Sequence, residues 1–509
     1  MVSKLFSLGY LGLEVFPVEV EVDVSRGLPS ISLIGLLDTS GKESKERVRS
    51  GIKNSGYEFP SSRITVNLAP ANIKKEGTHF DLAIALGILN STYQLNCDFS
   101  SFFILGELSL EGKVRGIKGI FPMALKAKEL NKKLILPKEN AYEAGLVKDI
   151  EIYPVESLKE TVAFLTGTIE KKPLKIDMEK ILEEKPNYSV DFSEVKGQVF
   201  ARRAIEVAVS GMHNILMIGP PGVGKTMLAQ RIPTILPDME FEEILEVTKI
   251  YSIAGLLNKE NPLIKTRPFR NPHHTSSSVA LVGGGTNIRP GEISLAHNGV
   301  LFLDELPEFS RDSLEALRQP LEDGYVVISR ATRHVKFPSR FLLVAAMNPC
   351  PCGYFGSKTK SCHCTGLQIQ RYRRKVSGPL LDRIDIHIEL QDVKWEVLLS
   401  QDMKFESSQE IKKRVEKARK IQKERFRNEE IFFNSQMKSK QIKKYCIITQ
   451  EAEDLLKEAI NQFGLSVRAY DKILKVSRTI ADLAEKEKID VECISEAIHY
   501  RGLDKNLWL

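Results

Sequence analysis

No stretch of the sequence approaches the roughly 18 consecutive apolar residues that a membrane-spanning helix needs, so we expect no membrane anchor. Residues 1–20 are apolar, but they include Glu14 and Glu19 and lack the small-residue cleavage site of a signal peptide. We expect this segment to form strands of a domain. With no export signal, we expect the seven cysteines in the reducing cytoplasm, where a disulfide framework does not persist.

The sequence also shows no internal repeat and no low-complexity tract. Hydrophobic residues make up 42% of the chain and charged residues 27%, which is the composition of globular domains and argues against global disorder. A chain of 509 residues exceeds one compact core, so we expect about two to four structural units. The net charge of +7 is a weak preference for anionic partners, because it is spread over the whole chain.

Residues 1–167 predict a mixed α/β domain. The segment from Val18 to Val24 alternates apolar and charged residues, which is typical of a strand with one buried face. Helical patterns follow at about 40–55, 80–90 and 120–130.

The remaining chain divides into three parts. Residues 168–190 are charged, contain Lys-Pro pairs and predict a linker. Residues 191–395 alternate strand and helix patterns, as in a parallel sheet with crossover helices. Residues 396–509 are dominated by helix formers and predict a helical domain.

The most specific motif is a glycine-rich loop between a predicted strand (215–218) and a predicted helix (226–236). It fits the pattern G-x-x-x-x-G-K-[ST] with Gly219, Pro220, Pro221, Gly222, Val223, Gly224, Lys225 and Thr226. In such a loop the backbone N–H groups surround the phosphates, the lysine reaches the β- and γ-phosphates, and the hydroxyl binds Mg²⁺. The motif predicts an ATP–Mg²⁺ site, and the flanking strand and helix argue against a chance glycine-rich turn.

Two further apolar strands end in residues suited to hydrolysis. Residues 300–303 precede Asp304 and Glu305, about 80 residues after the phosphate loop. We predict that Asp304 holds the Mg²⁺ shell and that Glu305 polarises the attacking water. Residues 341–346 precede Asn348, whose amide can orient that water. By themselves an acidic strand end and an asparagine before proline are ordinary features, and the phosphate loop is what favours the functional interpretation.

Several longer segments are more selective than these motifs: RPFRNPHH (267–274), ALVGGG (280–285), PGEISLAHNG (290–299), SGPLLDRID (377–385) and SVRAYDKIL (466–474). Together with the phosphate-loop and VLFLDE motifs, they resemble the ComM/YifB family, which is related to the ATPase subunit of magnesium chelatase. The resemblance covers almost the whole chain. It implies an α/β AAA+ core with a helix-2 insert and a C-terminal helical lid, hexameric rings, and a DNA helicase role in branch migration during natural transformation.

The resemblance also implies roles for two arginines. Arg383 is similar to the arginine finger that enters the neighbouring subunit's site, where such a group accelerates hydrolysis by about 10³ or more. Arg468 is similar to the second sensor, which contacts the γ-phosphate, and Asn348 matches the first sensor. Apart from the resemblance, we expect an isolated arginine to be exposed or salt-bridged.

Residues 75–84 and 106–119 resemble the catalytic domain of Lon protease. The position of the catalytic serine is occupied by His79, and the position of the lysine by Phe121. A serine–lysine dyad needs one group to attack and one to accept the proton. We therefore expect the Lon-like fold without proteolysis, and we expect His79 to be an ordinary core or surface histidine.

Four cysteines crowd into two C-x-C pairs: Cys350, Cys352, Cys362 and Cys364. Thiolates this close in a reducing compartment predict a four-coordinate Zn²⁺ site, with His363 as a substitute ligand. The spacing differs from the usual C-x₂-C, so unliganded cysteines in a loop are the alternative.

Basic residues concentrate in the segment 267–289, which also carries His273 and His274, and in the hairpin-like segment 326–337, which lacks acidic residues. The candidate DNA contacts are Arg267, Arg270, Arg289, Arg330, Arg333 and Lys336. Such loops attract phosphates of any base sequence, as a translocase requires. Basic tracts at 370–375 and in a predicted helix at 411–427 are weaker candidates, since a charge run is usually a solvated face.

The sequence thus predicts an ATP-driven hexameric motor on single-stranded or branched DNA, with recombination proteins as further partners. One alternative is a chelatase-type ATPase that remodels a partner protein and shares all nucleotide-binding residues; the Lon-like domain and the basic loops argue against it. A second alternative, a protein unfoldase or protease, needs an exposed aromatic–apolar pair in its pore loop, which segment 267–289 does not show.

Overall fold

The computed structural model describes residues 2–35, 39–75, 77–176, 181, 188–258, 262–285, 288–330, 333–357, 360–392, 405–463 and 466–501. Among these residues, no helix combines the length and the hydropathy needed to cross a bilayer. Ten of the 23 residues of the predicted linker, 177–180 and 182–187, lie outside the described residues.

The N-terminal part of the chain is a mixed α/β domain, as predicted. One sheet has the order β1-β2-β4-β3, a second is parallel with the order β5-β8-β9, and β6 pairs with β7. The strands are β1 (Val2–Leu11), β2 (Glu14–Ser25), β3 (Ser30–Ile34), β4 (Arg63–Ala69), β5 (Phe102–Ile104), β6 (Glu107–Leu108), β7 (Val114–Arg115), β8 (Lys133–Pro137) and β9 (Ile152–Val155). The helices are α1 (Thr39–Asn54), α2 (Asp81–Ser91), α3 (Ile120–Glu129), α4 (Ala141–Gly145) and α5 (Leu158–Leu165).

The predicted period-two strand is confirmed in β2, where Val18, Val20 and Val22 are fully buried and the acidic residues between them are not. Helices α1, α2 and α3 confirm the three predicted helical patterns. Nearly all of α2 is buried, because it packs against both β1 and β2 as well as α1.

The central part is built on five parallel strands in the order β11-β14-β17-β10-β18. The strands from here on are β10 (Ile215–Ile218), β11 (Phe269–Arg270), β12 (Gly283–Gly284), β13 (Arg289–Pro290), β14 (Val300–Leu303), β15 (Tyr325–Arg330), β16 (Arg333–Pro338), β17 (Leu342–Met347) and β18 (Ile386–Glu389). The pairs β12–β13 and β15–β16 are antiparallel hairpins outside this sheet. Strands β10, β14 and β17 are buried along their whole length, as their continuous apolar runs predict for a parallel sheet.

The helices of the central part are α6 (Val199–Gly211), α7 (Lys225–Ile235), α8 (Phe241–Ala254), α9 (Ser278–Val282), α10 (Glu292–Leu295), α11 (Arg311–Glu315), α12 (Arg318–Asp323), α13 (Gly366–Arg373) and α14 (Gly378–Leu381). Because the five strands are parallel, the loops that follow them meet at one edge of the sheet, where ligands bind in open α/β folds. The predicted phosphate loop, Asp304 and Asn348 all lie at this carboxyl edge.

The C-terminal part is helical, as predicted, and its described residues contain no strand. Its helices are α15 (Ser408–Arg425), α16 (Ser439–Tyr445), α17 (Gln450–Phe463), α18 (Val467–Leu483) and α19 (Val491–His499). Helix α15 begins with a capping box in which Ser407 and Glu410 satisfy each other's backbone N–H groups. It contacts α6, α7 and α18, which joins the helical part to the sheet.

The N-terminal domain is joined to the central part through helix α8. Phe121 of α3 and Val247 of α8 share one apolar cluster. At the centre of the contact, the Ser252 hydroxyl donates to Glu143 (2.6 Å), and the Gly119 N–H donates to the Ser252 carbonyl (3.1 Å). Burial raises the pKa of the Glu143 carboxyl.

A second contact joins the turn between β1 and β2 to the β15–β16 hairpin. Gly12 approaches the Val335 side chain, and Leu11 and Leu13 pack against the apolar cluster that includes Val335 and Phe337. The N-terminal domain therefore rests on a hairpin that the sequence predicts to contact DNA.

Candidate ATP-hydrolysis site

The phosphate loop connects β10 to α7, as predicted. Gly222 and Gly224 have φ angles of +79° and +97°, which L side chains adopt only with strain. Gly224 is the N-cap of α7, so the first N–H groups of the 11-residue helix face the loop. The loop thus offers the N–H donors of a helix N-terminus and the positive end of a helix dipole, the combination that binds phosphate.

Lys225 is almost completely buried under the loop. Its ammonium group donates to the carbonyls of Gly219 (2.6 Å) and Pro220 (3.0 Å) and to Oδ1 of Asn348 (3.0 Å). Burial lowers the pKa of Lys225 to about 8, while Asp304 and Glu305 act in the opposite direction. These three hydrogen-bond acceptors are neutral, so a phosphate anion would be a stronger partner for this cation.

Thr226 and Asp304 meet between α7 and the end of β14. The Thr226 hydroxyl donates to Oδ2 of Asp304 at 2.8 Å, and Oδ1 of Asp304 accepts the Glu305 N–H at 2.9 Å. A hydroxyl and a carboxylate are the hard oxygen ligands that Mg²⁺ prefers beside phosphates. The two residues predicted to hold Mg²⁺ are therefore in contact, and their donor set fits that ion.

Glu305 has a left-handed backbone (φ +52°), and its side chain is about half exposed. Oε2 of Glu305 lies 3.0 Å from Nδ1 of His274. The sequence places His274 among the basic residues of segment 267–289 and does not indicate this contact. His274 follows β11, which is hydrogen-bonded to β14, so both side chains emerge at the same edge of the sheet. Predicting this contact requires the order of the strands in the sheet, which a single sequence does not give.

Asn348 follows β17, the strand between β14 and β10. Its side chain reaches Lys225, which brings the predicted first sensor to the phosphate loop. Its position beside the lysine is compatible with orienting a water next to a γ-phosphate.

Arg383 and Arg468 lie away from the phosphate loop of the same chain. The Arg383 carbonyl accepts a hydrogen bond from Asn214, which precedes β10, whereas the loop follows β10. The four residues of β10 separate these two ends by about 13 Å. Arg468 is bonded to Asp382, next to Arg383, at 3.1 Å. The two predicted arginines thus sit together at the opposite, amino edge of the sheet.

Two of the candidate DNA contacts are engaged inside the fold. Arg267 makes a two-pronged ion pair with Glu243 (2.9 and 2.9 Å), and Arg270 makes one with Glu292 (2.6 and 2.8 Å). These carboxylates bind the guanidinium groups as a phosphate would, so the structure gives both arginines a role in holding β11 and the residues just before it to α8 and α10. Their role in DNA binding stays a prediction.

The other candidates lie on the two hairpins. Arg289 in β13 and Lys336 in β16 are exposed, and the Lys336 ammonium lies 3.6 Å from the ring centroid of Tyr325. Arg330 and Arg333 face each other across the end of the β15–β16 hairpin, and their side chains lie outside the described part of the structure. A further exposed cation, Lys118, lies near Arg289. Partial burial of its side chain lowers the pKa of Lys118, and the charge of Arg289 adds to this effect.

The four clustered cysteines converge in the loop after β17. Sulfur atoms of Cys350, Cys352 and Cys362 are 3.4–3.6 Å apart, and all four sulfurs lie within 4.8 Å of one another. Disulfide-bonded sulfurs would be about 2.05 Å apart, whereas four thiolates around Zn²⁺ at about 2.3 Å are about 3.8 Å apart. Sulfur–sulfur separations near 3.5 Å therefore fit metal ligands and exclude disulfides.

Backbone groups support this arrangement. The Phe355 N–H donates to the Cys350 sulfur (3.3 Å), and the Cys364 N–H donates to the Cys362 sulfur (3.4 Å). Such bonds stabilise the negative charge of a thiolate.

Comparisons with known proteins indicate the same family along nearly the whole chain. Family models match residues 191–398 ("Magnesium chelatase, subunit ChlI"), 20–140 ("Subunit ChlI of Mg-chelatase") and 405–501 ("Magnesium chelatase, subunit ChlI C-terminal"). The competence protein ComM of Haemophilus influenzae is 44% identical over 506 residues, which cover 98% of this chain and 97% of that protein.

Two other relatives agree with this result. YifB of Salmonella typhimurium is 41% identical over 499 residues, covering 98% of this chain and 96% of YifB. Lon protease 2 of Bacillus subtilis is 27% identical over 183 residues, about 32% of each chain, which accords with the Lon-like motifs. The chain therefore belongs to the ComM/YifB family of magnesium-chelatase-like AAA+ proteins.

Proposed function

We propose that this protein is the subunit of a cytoplasmic, ATP-driven hexameric DNA motor, a helicase or branch-migration translocase that acts in natural transformation or recombination. The observation that carries the proposal is the division of one ATP site between two edges of the sheet. The phosphate loop, Asp304, Glu305 and Asn348 lie at the carboxyl edge, and Arg383 and Arg468 lie at the amino edge. A ring in which each subunit presents its amino edge to its neighbour's carboxyl edge completes every site.

Each residue then has a defined part in hydrolysis. The loop N–H groups and Lys225 hold the β- and γ-phosphates, and Thr226 and Asp304 hold the Mg²⁺, which neutralises developing charge. Glu305 accepts the proton of the attacking water, which Asn348 orients. Arg383 and Arg468 of the adjacent subunit stabilise the charge on the γ-phosphate, since neither can reach the phosphate loop of its own chain.

The DNA interface consists of the two hairpins and the nearby Lys118. The exposed cations Arg289, Lys336 and Lys118, together with Arg330 and Arg333 at the hairpin end, present positive charge without base-specific geometry. The name of the Haemophilus relative, a competence protein, supports a role on incoming DNA.

We also propose that Cys350, Cys352, Cys362 and Cys364 hold one Zn²⁺. Four cysteine sulfurs at these separations fit a structural zinc site, in which the ligand set is closed. Elemental analysis of gently purified protein should find about one zinc per chain; well under one would refute this assignment.

The proposal is tested by the ATPase rate with and without single-stranded, duplex and branched DNA, with Glu305→Gln as the inactive control. We expect strong stimulation by DNA. The double substitution Arg330→Ala with Arg333→Ala should weaken it, as should added salt. A matched substitution of an exposed cation far from the hairpins, Lys457→Ala in α17, should leave stimulation unchanged.

A chelatase-type ATPase that remodels a partner protein is the second candidate, because all three family models describe a magnesium-chelatase subunit. ATP hydrolysis that responds to none of the three DNA forms would favour it over the motor.

A further inference from the structure

The cysteine cluster begins directly beside the ATP site. Cys350 is separated from the sensor Asn348 by a single residue, Pro349, and Asn348 is bonded to Lys225. The Pro349 carbonyl accepts a hydrogen bond from Nε of Arg373 at 3.2 Å, which ties the same segment to α13. Any movement of Cys350 therefore acts on the residue that contacts the phosphate-loop lysine.

The turn between the first two cysteines and the rest of the cluster also touches the phosphate loop. A Cβ atom built on Gly353 would lie 2.7 Å from Cδ of Pro221, so only a glycine allows this approach. Gly353 has φ +86°, and its N–H donates to the Cys350 carbonyl at 3.0 Å. The closed turn at Cys350 thus supports the outer side of the phosphate loop.

Two of the four thiols come from a more distant part of the loop. Cys362 lies 12 residues after Cys350 in the sequence, yet its sulfur is 3.6 Å from that of Cys350. Cys350 is fully buried, while the other three cysteines are partly exposed. The sulfur separations exclude a disulfide between these two parts of the loop. A metal ion bound by the four sulfurs would hold the two parts together.

We propose that a metal ion bound by the four cysteines fixes Asn348 and the phosphate loop in their ATP-binding arrangement, so that metal loading of this site controls nucleotide affinity. The inference rests on the zinc site proposed above. It gives the zinc site a second role, regulation of the ATPase, in addition to local structural support. DNA takes no part in it.

Linkage gives a test on the unmodified protein. If the metal raises the affinity for ATP by some factor, ATP must raise the affinity for the metal by the same factor. We would measure zinc affinity by competition with a chelating dye, with and without a nonhydrolysable ATP analogue. We expect zinc to bind about tenfold more tightly with the analogue, which corresponds to a binding-competent fraction of about one tenth in the metal-free protein.

Three variants separate metal from loop contact. Cys362→Ser should lose the metal and weaken ATP-analogue binding about tenfold, while the control Cys97→Ser, a half-buried cysteine of the N-terminal domain, should change neither. Pro221→Ala removes the ring atoms that contact Gly353 and leaves all four thiols and the turn at Gly353 unchanged, so it should retain the metal and still weaken ATP-analogue binding. Circular dichroism reports whether each variant is folded.

Equal zinc affinity with and without the analogue, or a metal-free Cys362→Ser protein that binds the analogue as tightly as wild type, would overturn the inference. Wild-type protein that contains no metal would overturn it together with the zinc site, and would leave the DNA-motor proposal untouched.

Discussion

The phosphate loop and the Lon-like segment around His79 both carry motifs of known catalytic sites, but their side chains have opposite surroundings in the structure. At the phosphate loop, polar groups converge: Lys225 contacts Asn348, and Thr226 contacts Asp304. At the Lon-like segment, the residue at the position of the catalytic serine, His79, has aromatic rings as neighbours. The ring centroid of His79 lies 4.1 Å from that of Phe80, with the ring planes tilted by 40°, and 6.1 Å from that of Tyr10.

The two positions of the lost protease dyad also differ from the ATP site in access. His79 is only 3% exposed, and Phe121 is completely buried in the cluster that α3 shares with α8. Phe121, at one of these two positions, therefore belongs to the contact with the ATPase domain. The difference teaches that two segments with similar catalytic motifs can have opposite access: one gathers polar groups at the edge of a sheet, and the other is buried. The contact in which the Ser252 hydroxyl donates to Glu143 is the docking surface between the N-terminal domain and the ATPase domain.

The largest expected effect concerns the part of the ATP site that a neighbour supplies. Arg383→Ala should reduce ATP hydrolysis by about 10³, because γ-phosphate charge is then left unpaired, while ATP binding persists. Mixing Arg383→Ala protein with Lys225→Ala protein should restore activity, since interfaces that combine one intact half from each subunit form again. Mixed rings that stay inactive would contradict an ATP site shared between two subunits, and with it the contrast with the Lon-like segment.

The second effect is a pH dependence of ATP binding. The pKa of Lys225 is lowered to about 8, so Lys225 loses its positive charge as the pH rises above 8. ATP needs the charged form. Its affinity should therefore fall about tenfold between pH 7 and pH 9, as expected for a group with a pKa near 8 that must be protonated in the complex.

The control for this prediction is Lys225→Arg, which keeps its charge throughout this range. Titration of a fluorescent ATP analogue measures both proteins. A wild-type affinity that is flat from pH 7 to pH 9 would contradict the lowered pKa.

A smaller effect is expected from His274, which contacts the predicted catalytic carboxylate, Glu305, from the neighbouring strand. Removing this one contact between partly exposed groups is worth about 0.2–1 kcal/mol, or up to about fivefold in rate. We expect His274→Ala to raise DNA-independent ATP hydrolysis by such a factor and so to reduce the stimulation by DNA. The adjacent His273, which is bonded to Thr275 and not to Glu305, gives the matched control His273→Ala. An identical response of the two variants would rule out a specific role of the His274 contact.

The smallest effect is expected at the docking surface. Ser252→Ala removes a buried partner of Glu143 and should destabilise the protein by about 1–3 kcal/mol with little change in ATP affinity. Ser294→Ala is the control, because the Ser294 hydroxyl is buried with no hydrogen-bond partner among the described residues. Chemical denaturation measures both; equal stabilities would show that the Ser252 bond does not fix the N-terminal domain.

Much of this architecture could be predicted from the sequence, because local patterns determine local structure. The phosphate loop between β10 and α7 and the buried strands before Asp304 and Asn348 follow from apolar runs and turn residues. The contact of His274 with Glu305 could not be predicted, since it depends on β11 lying next to β14. The inward ion pair of Arg267 depends in the same way on a partner, Glu243, that is distant in the sequence.

The central claim is that ATP hydrolysis moves DNA strands. The most direct measurement is displacement of a labelled strand from a synthetic branched DNA, with ATP, by wild-type protein and by Glu305→Gln. The account predicts strand movement by the wild type only, and only with hydrolysable ATP. Active hydrolysis by the wild type without strand movement on any branched or tailed substrate would contradict it.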